Sequence, residues 1–180
     1  LPANFDAELR YRQDIKDGAR LFGRGTAQFL AEPIDSRTEQ VDATISYTGK
    51  RLQMAGGYNG SVYRNRPQVL DVSTGADIAL PPDNSSHQLF LTGGYSLAQS
   101  TRATFKLAYG RATQDDSFFI APDFPGNTRS NLDGRVDTTI AQLGISARPT
   151  PNLSLLANLR YDDRDDKTPR FQFLTPSTGR

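Results

Sequence analysis

The feature that most constrains this chain is alternation of apolar and polar residues in seven separate stretches. In the stretch that ends at Tyr109, apolar residues occupy positions 103, 105 and 107 and are separated by Thr104 and Lys106. Successive side chains of a strand point to opposite faces, so this period predicts strands with one apolar and one polar face. The predicted strands lie roughly at residues 5–13, 37–48, 51–63, 87–97, 102–113, 136–147 and 153–163.

Two classes of connection alternate between these strands. Short turns with Gly, Ser, Pro and Asn are predicted at 49–50, 98–101 and 148–152, and Pro2-Ala3-Asn4 resembles the end of another. Polar loops of about twenty residues are predicted near 14–36, 64–86 and 114–135. Outer-membrane barrels alternate short periplasmic turns with long extracellular loops in this way. We therefore predict an all-β fold, a sector of an antiparallel up-and-down transmembrane β-barrel with about seven strands.

Tyrosines recur at two levels of the predicted strands. Tyr58 lies about nine residues past its turn, which is roughly 30 Å of strand, or about 23 Å of height at a tilt of roughly 40°. The apolar band of such barrels is about 25 Å tall, and aromatic residues line both of its edges. Equivalent tyrosines recur at intervals of about fifty residues, and two more lie near the turns. The predicted interface girdle comprises Tyr11, Tyr58, Tyr109, Tyr161, Tyr47 and Tyr95.

The opposite face of the predicted strands mixes both signs of charge with small residues. A small closed barrel would have to pair such charges internally, whereas a wide barrel can leave them facing water or an inserted partner. Small residues would let that partner approach closely. The predicted lumen-facing or partner-facing residues are Asp6, Glu8, Arg10, Asp42, Thr44, Lys106, Ala108, Gly144, Ser146 and Arg160.

The sequence offers no catalytic constellation. It contains no cysteine and a single histidine, His87, so no triad, thiolate metal site or covalent haem motif can be assembled. Acidic residues cluster at 115–116 and 162–166, and we interpret them as solvated loop charge rather than a cation site. The net charge of +1 gives no sign of a nucleic-acid partner. We therefore expect a protein that is not an enzyme and holds no cofactor of its own.

Two other classes of protein share parts of this pattern. A soluble β-sandwich that serves as a binding module also has half-buried, alternating strands. A general diffusion porin or substrate channel would have the same barrel wall. Seven alternating stretches with two loop classes and two aromatic levels favour the membrane barrel over the sandwich, and the choice between porin and sheath stays open at this point.

Three segments carry distinctive combinations of residues: 81–118, 131–169 and, more loosely, 32–65. Their sharpest pieces are Pro82-Asp83-Asn84 with His87-Gln88, Tyr109-Gly110 through Asp115-Asp116, and Leu132-Asp133-Gly134-Arg135. In these segments the chain resembles the MtrB/PioB family of decahaem-associated outer-membrane β-barrels.

The resemblance implies a role in the bacterial outer membrane. Family members form a large barrel that sheathes a periplasmic multihaem c-type cytochrome. Electrons then pass along its haems to or from extracellular partners such as an outer cytochrome or iron oxides. The haem belongs to that partner, and the barrel, in contact with lipid and lipopolysaccharide, insulates and positions it. Seven strands are too few for such a sheath and both ends look cut, so we expect residues 1–180 to be an internal fragment of a single barrel domain with a hairpin repeat of about fifty residues.

Overall fold

The computed structural model describes residues 4–24, 28–72, 77–117 and 130–170, and strands dominate them. Seven long strands form one antiparallel sheet in the order β1-β2-β3-β6-β7-β8-β9, with β1 and β9 at its edges, while β4 and β5 pair separately. In chain order the strands are β1 (Phe5–Arg24), β2 (Gln28–Thr48), β3 (Leu52–Asn65), β4 (Val69–Leu70), β5 (Ile78–Ala79), β6 (Asn84–Ala98), β7 (Thr101–Gln114), β8 (Gly134–Thr150) and β9 (Leu153–Asp166).

The predicted up-and-down antiparallel topology is confirmed. Each long strand pairs with the long strands that precede and follow it along the chain. Short turns join β2 to β3, β6 to β7 and β8 to β9, where the sequence places them. In the first of these turns the Gly49 amide donates to the Leu52 carbonyl at 2.8 Å. Of the further turn predicted at residues 2–4, only Asn4 lies among the described residues.

The prediction of a loop at 14–36 is wrong. Residues 14–24 extend β1 and residues 28–36 extend β2, and their register continues to the pair Arg24 and Gln28. Beyond Ser36, the last residue of β2 that pairs with β3, Pro33 has a neighbouring strand on one side only. A proline is tolerated there because its missing N–H is not needed by a second neighbour. Eight pairs of this β1–β2 extension, from Asp17 with Asp35 to Arg24 with Gln28, lie beyond the last pair of β2 with β3. They correspond to about 26 Å of strand at about 3.3 Å per residue.

The predicted loop at 64–86 also contains more structure than expected. Its β4–β5 hairpin carries Leu70, Val72 and Leu80, which are three of the four buried apolar residues in the described part of the chain. The carboxylate of Asp116 accepts hydrogen bonds at 3.1 Å from the Gln68 side chain and the Asp83 amide. These bonds tie the segment to the end of β7. Of the loop predicted at 114–135, residues 118–129 lie outside the described residues.

The short turns are staggered along the sheet. One row of register partners runs across all seven long strands, and the turn of each successive hairpin lies further from that row. The row comprises Phe5, Tyr47, Met54, Gly93, Phe105, Leu143 and Leu159. A strand tilt of about 40° brings all three turns to one level, and this is the tilt that barrel closure requires.

Most large apolar side chains lie exposed on one face of the sheet, because no second layer of the described chain covers them. We call this the apolar face and define it by the strand positions that share a side with Tyr109. The polar face is the side of Lys106. Exposed members of the apolar face include Leu9, Ile45, Leu89, Leu107, Leu143 and Leu159. Soluble monomers rarely expose so large an apolar surface, which marks this face for a non-aqueous neighbour.

The β1–β2 extension can be tested with engineered cysteines, since these 180 residues contain none. Leu21 and Ala31 are register partners, so a double variant Leu21→Cys with Ala31→Cys should form a disulfide readily under mild oxidation. Ala19→Cys with Ala31→Cys is the matched control, because Ala19 pairs with Pro33 and lies diagonally across from Ala31. We expect several-fold more disulfide for the register pair, measured by thiol alkylation and mass spectrometry. Equal yields would mean that this region is a mobile loop.

Candidate functional site: the two faces of the sheet

All six tyrosines of the predicted girdle lie on the apolar face. Tyr58 and Tyr109 share a row through Leu89. Tyr11 lies on the next row of this face towards the long loops, and Tyr161 lies on the next row towards the short turns. From β1 to β9 the tyrosines therefore shift in the same direction as the turns, as side chains at one height of a tilted wall must. Their role at a membrane interface stays a prediction.

The upper tyrosines point their hydroxyls away from the short turns. Tyr58 Oη lies 2.6 Å from His87 Nδ1, and Tyr109 Oη accepts a hydrogen bond from Arg111 Nη2 at 2.9 Å. Tyr11 Oη donates to Glu39 Oε1 at 2.8 Å. Each ring thus meets apolar residues below it and polar residues above it. An amphipathic ring with this orientation fits the boundary between hydrocarbon and headgroups.

A group of charges lies on the apolar face above the tyrosines, and sequence reasoning missed it. Asp137 receives hydrogen bonds from Arg111 Nε at 2.8 Å, Arg135 Nη2 at 2.8 Å and Lys167 Nζ at 3.2 Å. We call these four residues the Asp137 cluster. The Asp137 carboxylate is only 6% exposed, and the hydrogen bond and charge of this carboxylate raise the pKa of Lys167. The sequence does contain one signal for this cluster. Arg111, Arg135 and Asp137 are charged, although they occupy strand positions whose side chains belong to the apolar face.

All ten residues predicted to face the lumen or a partner lie on the polar face. Lys106 and Arg160 share one row through Gln142. On β1, Glu8 opposes Thr44 and Arg10 opposes Asp42. The remaining candidates occupy the same parity along their strands: Asp6, Ala108, Gly144 and Ser146. The shared face follows from the register, whereas contact with a partner stays a prediction.

The polar face contains an open groove of about 850 Å³ near the short turns. Its lining includes Arg102, Lys106 and Arg160, and Arg102 donates to the side-chain oxygen of Gln53 at 2.9 Å. The side chains of Thr104 and Asn158 lie over Gly144, since a Cβ there would lie 2.6 Å from Thr104 Oγ1 and 2.8 Å from Asn158 Oδ1. The groove therefore combines basic and amide side chains with small residues and a larger share of apolar surface.

Ala108 is the candidate that offers the least contact surface. It is only 7% exposed, and Phe90 and Ile140 are its register partners on the two neighbouring strands. Together these residues form a short apolar row within the polar face.

The described side chains form surfaces rather than a reaction centre. Within residues 4–24, 28–72, 77–117 and 130–170, no three His, Asp or Glu side chains are grouped as metal ligands. His87 is hydrogen-bonded to Tyr58. Among the acidic residues near 162–166, Asp162 forms an ion pair with Arg160 and Asp165 with Lys167. In the same ranges, no helix is long and apolar enough to cross a membrane.

Comparison with known proteins assigns the family. Residues 1–179 match the family described as "Putative outer membrane beta-barrel porin, MtrB/PioB". The chain belongs to this family. It is thus part of an outer-membrane β-barrel, a structural protein and not an enzyme, and the soluble sandwich alternative is wrong. In such a barrel the apolar face of the sheet meets lipid and the polar face meets the interior.

A relative in Shewanella baltica (strain OS185) supports this assignment. The chain is 28% identical over 177 residues to "Outer membrane protein MtrB", a match that covers 91% of this chain and 25% of the relative. The chain therefore spans about a quarter of the length of that relative.

The lipid-facing side can be tested with one pair of neighbouring residues. Leu143 lies on the apolar face and Gln142 on the polar face, at nearly the same height. Leu143→Arg in the full-length barrel should lower the free energy of unfolding from bilayers by about 2–4 kcal/mol, the cost of a cation near the midplane. The control Gln142→Arg should change it by less than about 1 kcal/mol, since lumen positions accept charge. Both are measured by urea titration in vesicles, and equal costs would contradict the assignment of the faces.

Proposed function

We propose that the full-length protein sheathes a periplasmic multihaem c-type cytochrome and holds it across the outer membrane for electron exchange with the outside. Residues 1–180 form one sector of a single barrel domain built from hairpin repeats of about fifty residues. Membership of the family supports a barrel wall in the outer membrane. The cytochrome partner is what the resemblance to the MtrB/PioB family implies. The polar face offers a surface to which such a partner could bind.

The observation that carries this proposal is that the complete wall is wider than these seven strands. β1 and β9 do not pair with each other among the described strands, and the chain spans about a quarter of the length of the relative from Shewanella baltica. Small barrels fill their interior with side chains, whereas wide ones leave a lumen for water or an inserted body. A wall of which these seven strands are one sector fits the second arrangement, and its polar face carries exposed charges such as Glu8 and Lys106.

The inner groove also has chemistry that suits a haem protein. Arg102, Lys106 and Arg160 provide cationic donors, and Arg102 and Lys106 have no carboxylate within ion-pair distance among the described residues. Cationic side chains are suited to carboxylates on a partner, including haem propionates. The small and exposed residue Ser146 allows a partner surface to approach the backbone of β8 closely. Under this proposal the tyrosines fix the height of the wall in the membrane.

The haem partner can be tested by purifying the full-length protein from outer membranes. We expect haem-staining protein to co-purify, and the double variant Lys106→Glu with Arg160→Glu to retain several-fold less haem per barrel. The matched control is Arg37→Glu with Arg64→Glu, which reverses two charges on the apolar face above the tyrosines. Haem is measured by absorbance against barrel protein. Recovery of the folded wild-type barrel without haem would sink the proposal.

The second candidate function is a general diffusion porin. It is favoured by the mixture of acidic, basic and amide side chains on the polar face. Arg10 forms an ion pair with Glu8 at 2.6 Å, and Asn59 Nδ2 donates a hydrogen bond to Asp42 at 2.6 Å. Such groups are also suited to a water-filled channel. Solute flux into vesicles distinguishes the two functions. A porin conducts small solutes whether or not a cytochrome is present, whereas a sheath loses most of its flux when occupied.

A further inference from the structure

We propose that the Asp137 cluster and the apolar groove below it bind one phosphorylated lipid of the outer leaflet. Its phosphate would lie on Arg111 and Arg135, and an acyl chain would lie in the groove. This site is on the lipid-facing side of the wall. It is therefore independent of what the barrel contains.

The two arginines have donors available for a phosphate. Asp137 is the only carboxylate within ion-pair distance of either side chain among the described residues. Arg111 and Arg135 remain 42% and 38% exposed. A guanidinium has five N–H groups, and the observed bonds use Nε and Nη2 of each residue, so the Nη1 donors have no partner among the described residues. Guanidinium pairs are well matched to phosphate oxygens.

Neighbouring charges place the anion over β7 and β8. Lys167 is shared between Asp137 and Asp165, at 3.2 and 3.5 Å. Asp165 lies on the row of Asp137, and Asp163 lies on the next row of the same face towards the turns. These carboxylates would repel an anion bound over β9. On the other side, His87 is the register partner of Arg111 and adds no negative charge. The electrostatically favourable position is thus next to Arg111 and Arg135, away from β9.

The groove begins directly below the cluster. It has a volume of about 640 Å³ and its lining is almost wholly apolar, including Ile45, Leu91 and Leu107. Its floor is Gly56, which lies between Ile45 and Leu91 on one row and has no side chain to fill the space. Tyr109 joins the two halves of the site, because it lines the groove and also accepts the hydrogen bond from Arg111.

The two arginines and the apolar groove together favour an amphiphile with an anionic head and a hydrocarbon tail. A free phosphate would use the two arginines and leave the groove empty. The groove lies below the tyrosine hydroxyls, on the face that meets lipid in outer-membrane barrels. A phosphorylated lipid satisfies both halves at the heights where its head and tail lie in a bilayer.

The experiment measures binding of diphosphoryl lipid A to the full-length barrel in neutral detergent, with dephosphorylated lipid A and inorganic phosphate as comparison probes. We expect the diphosphoryl form to bind at least ten-fold more tightly than the dephosphorylated form. Arg111→Gln with Arg135→Gln should weaken its binding about ten-fold, while Lys167 still neutralises Asp137. Gly56→Leu should weaken binding several-fold by filling the groove. Heat-modifiable migration on gels reports whether each variant folds.

The matched control is Arg37→Gln with Arg64→Gln, which removes two charges from the same face above β2 and β3. It should leave lipid A affinity within two-fold. Equal loss in the control and the test variant would overturn the site in favour of general electrostatic attraction. Full displacement by inorganic phosphate, together with no effect of Gly56→Leu, would overturn the lipid in favour of a free anion. If the double arginine variant does not fold, Gly56→Leu and Arg135→Gln alone decide the outcome by the same criteria.

Discussion

The requirement that every backbone amide and carbonyl inside a bilayer be hydrogen-bonded within the protein governs this structure. A sheet meets it by pairing each long strand with its neighbours, and the strand pairs of β2 through β8 do so without a break in register across the apolar band. Once strands are paired, alternation of side chains gives two faces. Tilt of the strands then sets the stagger of the turns and the oblique line of tyrosines.

The two faces meet opposite physical demands. The apolar face needs no covering layer, because hydrocarbon serves as its solvent, and this explains why large residues such as Leu89 and Leu143 are exposed. The polar face has to stay hydrated or meet a polar body. Charges on the apolar face, such as Asp137, are tolerated because they lie above the tyrosines and are paired with cations. The packed apolar cluster under β4 and β5 lies beyond this band, where water is again the solvent.

The alternation of apolar and polar residues was enough to predict the strands and their two faces. Features that depend on contacts between residues far apart in the sequence could not be predicted in this way. Seven strands, their two faces and the short turns follow from alternation bounded by Gly, Pro, Ser and Asn. The β1–β2 extension was missed because its residues carry charge on both faces, for example Lys16 and Asp17, as is expected for strands outside a membrane. The β4–β5 hairpin depends on Asp116, 33 positions from Asp83 along the chain. The Asp137 cluster needs the β7–β8–β9 register, which brings Arg111 and Lys167 to one carboxylate.

Because each long strand pairs only with its sequence neighbours, the wall can change its circumference by whole hairpins. Duplication or loss of one hairpin would add or remove two strands and leave the chemistry of the others intact. Barrel diameter grows roughly linearly with strand number. Natural selection can therefore fit such a pore to occupants of different girth by gene-level copying, with few changes to individual residues.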